Sequence, residues 1–399
     1  MREICLYLHI HQPFRYRPYS IFDVGNNDNY FFDPNYHSKQ SNERIFNKVA
    51  EKSYRPTLSL LEKNLKENPG FKFSLSITGT WLEQAEMWAP DLINRLKKMV
   101  KTGRVEIVGE TYYHSMSFFY DKEEFGEQVA LHRKIIKNLF NIDTKVFRNT
   151  ELAYNDSLAE EIEKLGFKAC LAEGWDKVLG WRSPNFVYKA FGTKDLKLLL
   201  KNYRLSDDIA FRFSNRRWKE WPLTVEKYIA WLKDSCLNGN LINLFMDFET
   251  FGEHQWEDTG IFSFFDKFID EWLKSPEQSF VTVSEAAQKP AVAELSMPDT
   301  VTWADTERDL SAWMGNGLQD EAMRTLYSLK PMIIEKSKTD PKLLDDFRKL
   351  TTSDHAYYMC TKYWSDGDVH AYFSAYDSPF DAFMYFLNIL HSLEYRIST

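Results

Sequence analysis

The sequence predicts an α/β fold built on a parallel sheet or barrel, with a helical region at its C-terminal end. Short apolar stretches alternate with amphipathic helical patterns over most of the chain, which is typical of parallel sheets. Seven or eight such strands can be counted. The pattern changes at about Lys289, where Pro290 and Pro298 bracket a loop, and only helical patterns occur beyond Asp305. We therefore predict an α/β domain over residues 1–289 and a helical domain over residues 290–399.

The predicted strands are recognised by alternating apolar residues and by turn residues at their ends. In the first strand, alternate residues from Ile4 to Ile10 share an apolar face, whereas His9 and His11 lie on the opposite face. An open doubly wound sheet is an alternative topology, but no G-x-G-x-x-G motif follows this strand, so a dinucleotide site has no support. The predicted strands are Ile4 to His11, Phe71 to Thr78, Arg104 to Val108, Val146 to Glu151, Lys168 to Ala172, Lys197 to Asn202, Leu244 to Asp247 and Phe280 to Val283.

Helical patterns fill the segments between these strands and the end of the chain. The helical region also carries two polar clusters, at residues 303–305 and 351–355, which we expect to reach over the site. The predicted helices are Asn42 to Lys66 with an interruption before Pro56, Trp81 to Lys101, Glu123 to Phe140, Ser157 to Leu165, Pro222 to Leu237, Ile261 to Leu273, Glu307 to Lys330, Pro341 to Leu350 and Ser378 to Tyr395.

Composition limits the possible partners. The 399 residues carry a net charge of -8, and they contain no basic run of the kind that binds nucleic acid or a membrane surface. The four cysteines lie far apart without metal-binding spacing, so we expect buried thiols and a cytoplasmic protein. The chain shows neither a signal-peptide core nor an apolar segment long enough to span a membrane. The oligomeric state is left open.

Two acidic stretches predict the chemistry. Glu151 follows a strand directly and precedes the turn Asn155-Asp156, which can cap the next helix. Asp247 and Glu249 follow a second strand and share one face by parity. Because the carboxyl ends of parallel strands meet at one face of a sheet, we expect these acids to lie close together. Glycoside cleavage needs such a pair, although Glu151 could be a solvated residue and Asp247 a structural acceptor for loop amides.

A divalent metal site is the competing interpretation. His9 and His11 form an H-x-H pair on a strand, and with Asp247 and His254 they could serve a metal-dependent carbohydrate deacetylase. No third ligand has a fixed spacing from this pair, and neutral imidazoles that bind sugar hydroxyls explain the same residues. We therefore predict no metal and no cofactor.

Five motifs taken together resemble glycoside hydrolase family 57. They are His9 to Pro13, Gly103 to Glu110, Asn149 to Leu152, Asp247 to Gly252 and Ser353 to Tyr357. The resemblance implies an incomplete (β/α)7 barrel of the TIM-like type with a helical domain after it, and a retaining reaction on α-glucans without a bound metal. It implies that Glu151 is the nucleophile and Asp247 the general acid/base, and that the subsite of the reacting sugar is lined by His11, Glu106, Glu249 and Asp354.

We therefore expect a retaining hydrolase of the α-amylase type that cleaves α-1,4 bonds in starch, glycogen or maltooligosaccharides. A 4-α-glucanotransferase or a branching enzyme would use the same acids, and a non-catalytic glucan-binding module is a further alternative. The two carboxyl groups should lie about 5 to 5.5 Å apart. Candidate aromatic platforms for sugar rings are Trp81, Trp175, Trp256, Trp303 and Trp364, of which Trp256 and Trp303 are preferred because they lie beside motif residues.

Overall fold

The computed structural model describes residues 1–362 and 372–399, and the fold is a parallel barrel surrounded by helices. Its strands are short and occur in the predicted order, with two additions. The predicted platform residue Trp364 lies outside the described residues. The strands are β1 (Arg2–Ile10), β2 (Phe73–Ile77), β3 (Val105–Ile107), β4 (Val146–Arg148), β5 (Ala169–Glu173), β6 (Val187–Ala190), β7 (Lys197–Lys201), β8 (Leu241–Asp247), β9 (Gln278–Val281) and β10 (Glu294–Leu295).

Two sheets join into a ring of parallel strands. The first has the order β3-β2-β1-β8, with β9 paired to the start of β1, and the second has the order β10-β6-β7-β5-β4. Gly109 joins β3 to β4, because its amide donates to Val146 O at 2.8 Å and its carbonyl accepts from Arg148 N at 2.8 Å. Asn202 N donates to Asn243 O at 2.9 Å and joins β7 to β8. Among the described residues, β1, β2, β3, β4, β5, β7 and β8 thus form a seven-stranded ring.

The barrel interior is apolar at its base and polar at its mouth. Side chains that face inward from β1, β4 and β8, such as Tyr7, Val146 and Phe245, pack together with no solvent exposure above 1%. Side chains that face outward from the same strands pack under the helices instead. The alternation that the first strand predicted is confirmed, because Ile4 and Leu6 belong to the outer cluster and Cys5 to the inner one.

Helices cover the outer face of the ring. One interruption was predicted correctly, since a π-helical segment, Ala50–Tyr54, separates the two helices on either side of it. The helices of the barrel region are α1 (Asn42–Val49), α2 (Arg55–Glu67), α3 (Gly79–Trp88), α4 (Pro90–Val100), α5 (Ser117–Tyr120), α6 (Lys122–Phe140), α7 (Asp156–Lys164), α8 (Asp176–Leu179), α9 (Tyr203–Ala210), α10 (Val225–Ser235), α11 (Ile261–Leu273) and α12 (Val283–Ala287).

The C-terminal helices pack over the mouth of the barrel. Their apolar side chains enclose Phe14, Tyr16 and Tyr30, which belong to the long loop after β1. Within the described residues, no helix combines the length and the apolarity needed to cross a membrane. These helices are α13 (Ser311–Met314), α14 (Gly317–Lys336), α15 (Pro341–Leu350), α16 (Ser353–Tyr358) and α17 (Pro379–Ser398).

Some element predictions need correction. The sequence analysis missed β6, which runs antiparallel to β7, and β10, which pairs with β6. The single helix predicted from Glu307 to Lys330 is two helices, of which α13 begins at Ser311 and α14 at Gly317. The loop before α13 holds Asp305 and Arg308 at φ 56° and 50°, outside the helical region. The predicted division at residues 289 and 290 stays a prediction.

Candidate active site

A cavity of about 1050 Å³ opens at the carboxyl ends of the strands, where the loops of the ring and the C-terminal helices meet. Sites in barrels of this kind form at that end because every strand delivers its following loop there. All but one of the predicted site residues line the cavity. These are His9, His11, Glu151, Asp247, Glu249, Trp256, Trp303 and Asp354.

Glu151 enters the cavity from a strained turn. Its backbone has φ 57° and ψ 24°, in the left-handed region that residues with a side chain rarely adopt, so the turn after β4 is held by its surroundings. One carboxylate oxygen accepts from Trp303 Nε1 at 2.7 Å, and the other contacts His114 Nε2 at 3.2 Å and accepts from Ser353 Oγ at 3.3 Å. Burial alone would raise the pKa of Glu151, but the bond to His114 and the charge of His114 outweigh it and lower the pKa. Glu151 is therefore an ionised, firmly held carboxylate.

Asp247 ends β8 and faces the same cavity. Its Oδ1 lies 3.5 Å from His9 Nδ1. Burial would raise the pKa of Asp247, but the hydrogen bond and the charge of His9 outweigh it, and the charges of His254 and Arg148 lower the pKa further. The β1–β8 register places His9 directly beside Asp247, which accounts for the contact.

Glu110, which is fully buried, connects the partners of both carboxylates. Its Oε2 lies 3.2 Å from His9 Nε2 and 3.5 Å from His114 Nδ1. Burial would raise the pKa of Glu110, but the charge of His9 and the hydrogen bonds from both imidazoles hold it well below its usual range. Burial would lower the pKa of His114, but its bonds to Glu110 and Glu151 raise it to about 9. His114 is therefore a buried imidazolium between two carboxylates.

Arg148 adds a second positive charge to this group. Its Nη1 lies 3.5 Å from His9 Nε2 and 3.4 Å from His114 Nδ1, and its guanidinium lies 4.8 Å from the centre of the Trp303 ring. The face of the Trp303 ring thus contacts this cation, and the N–H of the same ring donates to Glu151. The arrangement fixes the indole next to the carboxylate.

Glu249 is a third acid in the cavity, and unlike Glu151 and Asp247 it has a raised pKa. It lies two residues beyond the end of β8, in the turn Phe248–Thr250, and is 7% exposed. Its Oε1 accepts from Tyr54 OH at 2.7 Å and from the amide of His11 at 3.4 Å. Burial and then the negative charge of Asp247 raise the pKa of Glu249 to about 8. The coupling of two neighbouring acids predicted from the sequence therefore leaves the proton on Glu249 and not on Asp247.

His11 and Asp354 close the side of the cavity formed by the C-terminal helices. His11 Nε2 lies 2.9 Å from Asp354 Oδ2, and its Nδ1 lies 3.0 Å from Thr78 Oγ1. Asp354 belongs to α16, so a helix near the C-terminal end of the chain lines this side of the cavity.

The aromatic candidates divide into three groups. Trp81 is fully buried in the core, which excludes it as a platform. Trp175 and Trp303 line the cavity, and the indole N–H of Trp303 donates a hydrogen bond to Glu151. Trp256 also lines the cavity and is 56% exposed, which leaves its ring available to a ligand.

Glu106 requires a correction, because the structure places it away from the predicted sugar subsite. It lies in the middle of β3, and its carboxylate accepts from Ser74 Oγ at 2.8 Å and from Ser284 N at 3.0 Å. It therefore anchors the start of α12 under the barrel. The resemblance placed Glu106 of this motif at the subsite, but Glu110, four residues later, is the acid that lies beyond the end of the strand.

Two groups of side chains have ligand atoms close enough to hold a metal ion. They are His9 with Glu110 and His114, and His11 with His114 and Asp354, with ligand atoms within 4.8 Å of one another in each group. The set considered from the sequence, both strand histidines with Asp247 and His254, is not among the groups that the described residues form. In the first group, Arg148 Nη1 lies within 3.5 Å of a nitrogen of each imidazole, so a cation of the protein already stands beside these ligand atoms.

Comparison with known proteins identifies the family. The model of glycosyl hydrolase family 57 matches residues 5–301, which include both acidic strand ends. The chain belongs to glycoside hydrolase family 57. A protein of Methanocaldococcus jannaschii, provisionally named an α-amylase, is 44% identical over 398 residues, which cover 97% of this chain and 83% of that protein.

Solved structures confirm the barrel of the family 57 chain. A branching enzyme from Pyrococcus horikoshii superposes with a TM-score of 0.71 at 13% identity, over 93% of this chain and 87% of the other. An α-amylase from Thermotoga maritima superposes with a TM-score of 0.61 at 14% identity, over 99% of this chain and 96% of the other. At these identities the likeness shows the fold alone.

The sequence analysis of this family 57 enzyme missed three residues at the centre of the site. Arg148 could have been predicted from strand parity, because it shares the inward face of β4 with Val146. Glu110 ended a quoted motif without being singled out. His114 lies in an irregular loop with φ 52°, where neither periodicity predicts the direction of a side chain.

Proposed function

We propose that this family 57 glycoside hydrolase cleaves α-1,4 bonds of α-glucans with retention, using Glu151 as the nucleophile and Asp247 as the general acid/base. The observation that carries the proposal is that both carboxylates border one cavity and are tied to a single buried group, Glu151 through His114 and Asp247 through His9, with Glu110 between the imidazoles. A glucan chain enters along the open cavity, and the cytoplasm stays the predicted location.

The first step needs an ionised nucleophile. Glu151 attacks the anomeric carbon and forms a glycosyl ester while the bond from that carbon to the leaving oxygen breaks. The lowered pKa of Glu151 keeps it ionised near neutral pH. Its bonds to Trp303 and Ser353 hold one orientation during the attack.

The same step needs a proton for the leaving oxygen. Asp247 and Glu249 together hold one proton at neutral pH, since the pKa of Glu249 is raised to about 8 while that of Asp247 is lowered. As the sugar binds, this proton passes from Glu249 to Asp247, and Asp247 then delivers it to the leaving oxygen. In the second step Asp247 takes a proton from water, the water oxygen bonds to the anomeric carbon, and Glu151 is released.

Incubation with maltoheptaose, followed by chromatography of the products over time, tests the proposal. Hydrolysis predicts shorter maltooligosaccharides only, whereas a 4-α-glucanotransferase or branching enzyme would also give products longer than the substrate or branched ones. Absence of turnover by the wild-type protein would contradict the proposal. The variant Glu151→Gln is the control, because it keeps the size of the side chain and removes the attacking charge.

A further inference from the structure

One wall of the catalytic cavity is strongly basic. The lining residues between positions 12 and 52 include five cationic side chains and no acid, although the whole chain has a net charge of -8. We call these residues the cationic wall. It consists of Arg15, Lys39, Arg44, Lys48 and Lys52.

The fold aligns these side chains along the cavity. Arg44 and Lys48 lie on α1, and Lys52 lies in the π-helical turn that continues it, so three cations follow one another at a spacing of four residues on one side of the helix. Arg15 is fixed against the start of α1, because its amide donates to Asn42 Oδ1 at 2.8 Å and its carbonyl accepts from Asn42 Nδ2 at 3.0 Å.

The wall also adjoins the loop that carries Glu249. Gly252 of that loop has φ 104° and packs on the backbone of Lys52 so closely that an added Cβ would lie 1.9 Å from the Lys52 carbonyl oxygen. Glu253, in the same loop, pairs with Lys48 Nζ at 2.5 Å. The cations therefore stand at the edge of the proposed subsite of the reacting sugar.

The positive charge of the wall is only partly compensated. Glu253 serves both Lys48 and Lys52, the latter at 3.9 Å, and Asp377 pairs with Lys39. Over residues 1–362 and 372–399, no carboxylate lies within 4.0 Å of either guanidinium of the wall. Those guanidinium groups donate to the neutral oxygens of Gln12 and Ser38. Lys48 and Lys52 are 45% and 46% exposed, so a ligand can reach them.

We propose that the cationic wall binds a phosphate monoester on the glucan, so that phosphorylated α-glucans are substrates of this site. The inference rests on the proposed function and extends it. A neutral glucan offers only hydroxyl groups and gives no reason for two guanidinium groups that pair with no carboxylate of the described residues. The charge of Arg15 acts on Asp354 only from beyond 4.0 Å, where it helps to lower the pKa of that acid. Guanidinium forks match the oxygens of a phosphate, and lysines add charge. The ring of Trp256, which lies 5.1 Å from Lys52 Nζ, offers the attached sugar an exposed apolar face.

The test compares a phosphorylated maltodextrin with a sample of the same preparation treated with phosphatase. We expect kcat/KM to be roughly fivefold higher for the phosphorylated sample, as two exposed ion pairs would give. Added NaCl should lower this ratio, since the Debye length falls from about 10 Å at 0.1 M to about 3 Å at 1 M. Arg44→Gln and Arg15→Gln should each lower the ratio toward one. Lys66→Gln, an equal loss of charge on the exposed side of α2, should leave the ratio unchanged.

The outcomes separate this inference from the proposed function. The inference would be overturned if both samples were cleaved, if kcat/KM for the phosphorylated sample did not exceed that for the treated sample, and if Arg44→Gln left this ratio unchanged. The glucan-cleaving function would then remain intact. Failure to cleave either sample would overturn the function itself. A third outcome is that glucose 6-phosphate inhibits cleavage of both samples equally while their kcat/KM values are the same. It would show that the wall binds free sugar phosphate and would also overturn the inference.

Discussion

Glu110 and His114 are bound to each other beneath the cavity, with 3.5 Å between Oε2 and Nδ1. Through its other nitrogen the same imidazole contacts Glu151 at 3.2 Å. One buried carboxylate thereby keeps a neighbouring imidazole charged, and that charge keeps the proposed nucleophile ionised.

The variant Glu110→Gln tests this coupling. Without the Glu110 charge, the pKa of His114 should fall from about 9, and the pKa of Glu151 should rise because its charged partner is lost. We expect kcat/KM to fall by about 10- to 100-fold, the value of one hydrogen bond to a charged group, and the acid limb of the pH profile to move to higher pH.

Glu106→Gln is the matched control for that variant. The same change four residues earlier replaces one of the two acceptor oxygens that serve Ser74 and Ser284, away from the cavity. It should lower the melting temperature and leave the pH profile in place. A Glu110→Gln enzyme with lower stability but a wild-type pH profile would show that Glu110 is structural only.

Glu249→Gln should change the alkaline limb of activity. In the wild type, Glu249 is neutral below its pKa of about 8 and ionises above it, which puts a second negative charge beside Asp247 and removes the shared proton. Activity should therefore fall as the pH rises through 8. Glutamine carries no transferable proton, so kcat/KM at neutral pH should fall, and the limb near pH 8 should be absent from its pH dependence. An unchanged limb near pH 8 would contradict the assignment.

The same residue makes a prediction about stability. The folded-state pKa of Glu249 is raised, so the folded protein binds more protons than the unfolded chain between the usual glutamate pKa and about 8. The free energy that this proton uptake adds to folding is fully present below the pKa that Glu249 has in the unfolded chain. It is lost as the pH rises through the pKa that Glu249 has in the folded protein. Urea unfolding at pH 4 and pH 9 should show a smaller loss of stability in Glu249→Gln than in the wild type.

Trp303→Phe removes the donor to Glu151 and keeps most of the ring. We expect a loss of about 10- to 100-fold in kcat/KM and a higher pKa for Glu151, because a charge-assisted hydrogen bond is worth about 1.5 to 3 kcal/mol. The control is Trp272→Phe, which removes a donor to Ser279 O in the core. It should affect stability and not the pH profile. If Trp303→Phe and Trp272→Phe had the same pH profile, the bond from Trp303 would not control the pKa of Glu151.

Chelation separates the proposed mechanism from a metal-dependent deacetylase. Arg148 lies within 3.5 Å of both imidazoles that contact Glu110, so a cation of the protein already supplies the positive charge in that group. Prolonged dialysis against EDTA should leave the rate of maltoheptaose cleavage unchanged. Loss of the activity, with recovery on addition of Zn²⁺, would contradict this expectation.

The sequence predicted the elements of the barrel well where a pattern had a physical cause. Strands and amphipathic helices carry their periodicity, so α11 (Ile261–Leu273) and α15 (Pro341–Leu350) were predicted to the residue. The acids at Glu151 and Asp247 were found because strand ends converge. Closure of the ring depends on two backbone hydrogen bonds at Gly109 and one at Asn202, which no periodicity reveals.

The contacts within the site were less predictable for the same reason. His114 and Glu151 both have positive φ, so their directions follow from the packed surroundings and not from strand parity. Glu106 and Glu110 are four residues apart, and which of them reaches the mouth depends on where β3 ends. The protonation of Glu249 depends on burial and on a neighbour, and both follow from the tertiary structure.

Labelling of the nucleophile tests the central claim most directly. A 5-fluoroglucosyl fluoride of α configuration should form a slowly hydrolysed ester with the attacking carboxylate, and mass spectrometry of proteolytic peptides locates it. The account predicts a single glucosyl adduct on Glu151 in the wild type and none in Glu151→Gln. An adduct on Asp247 or Glu249, or rapid turnover of α-glucans by Glu151→Gln, would contradict it.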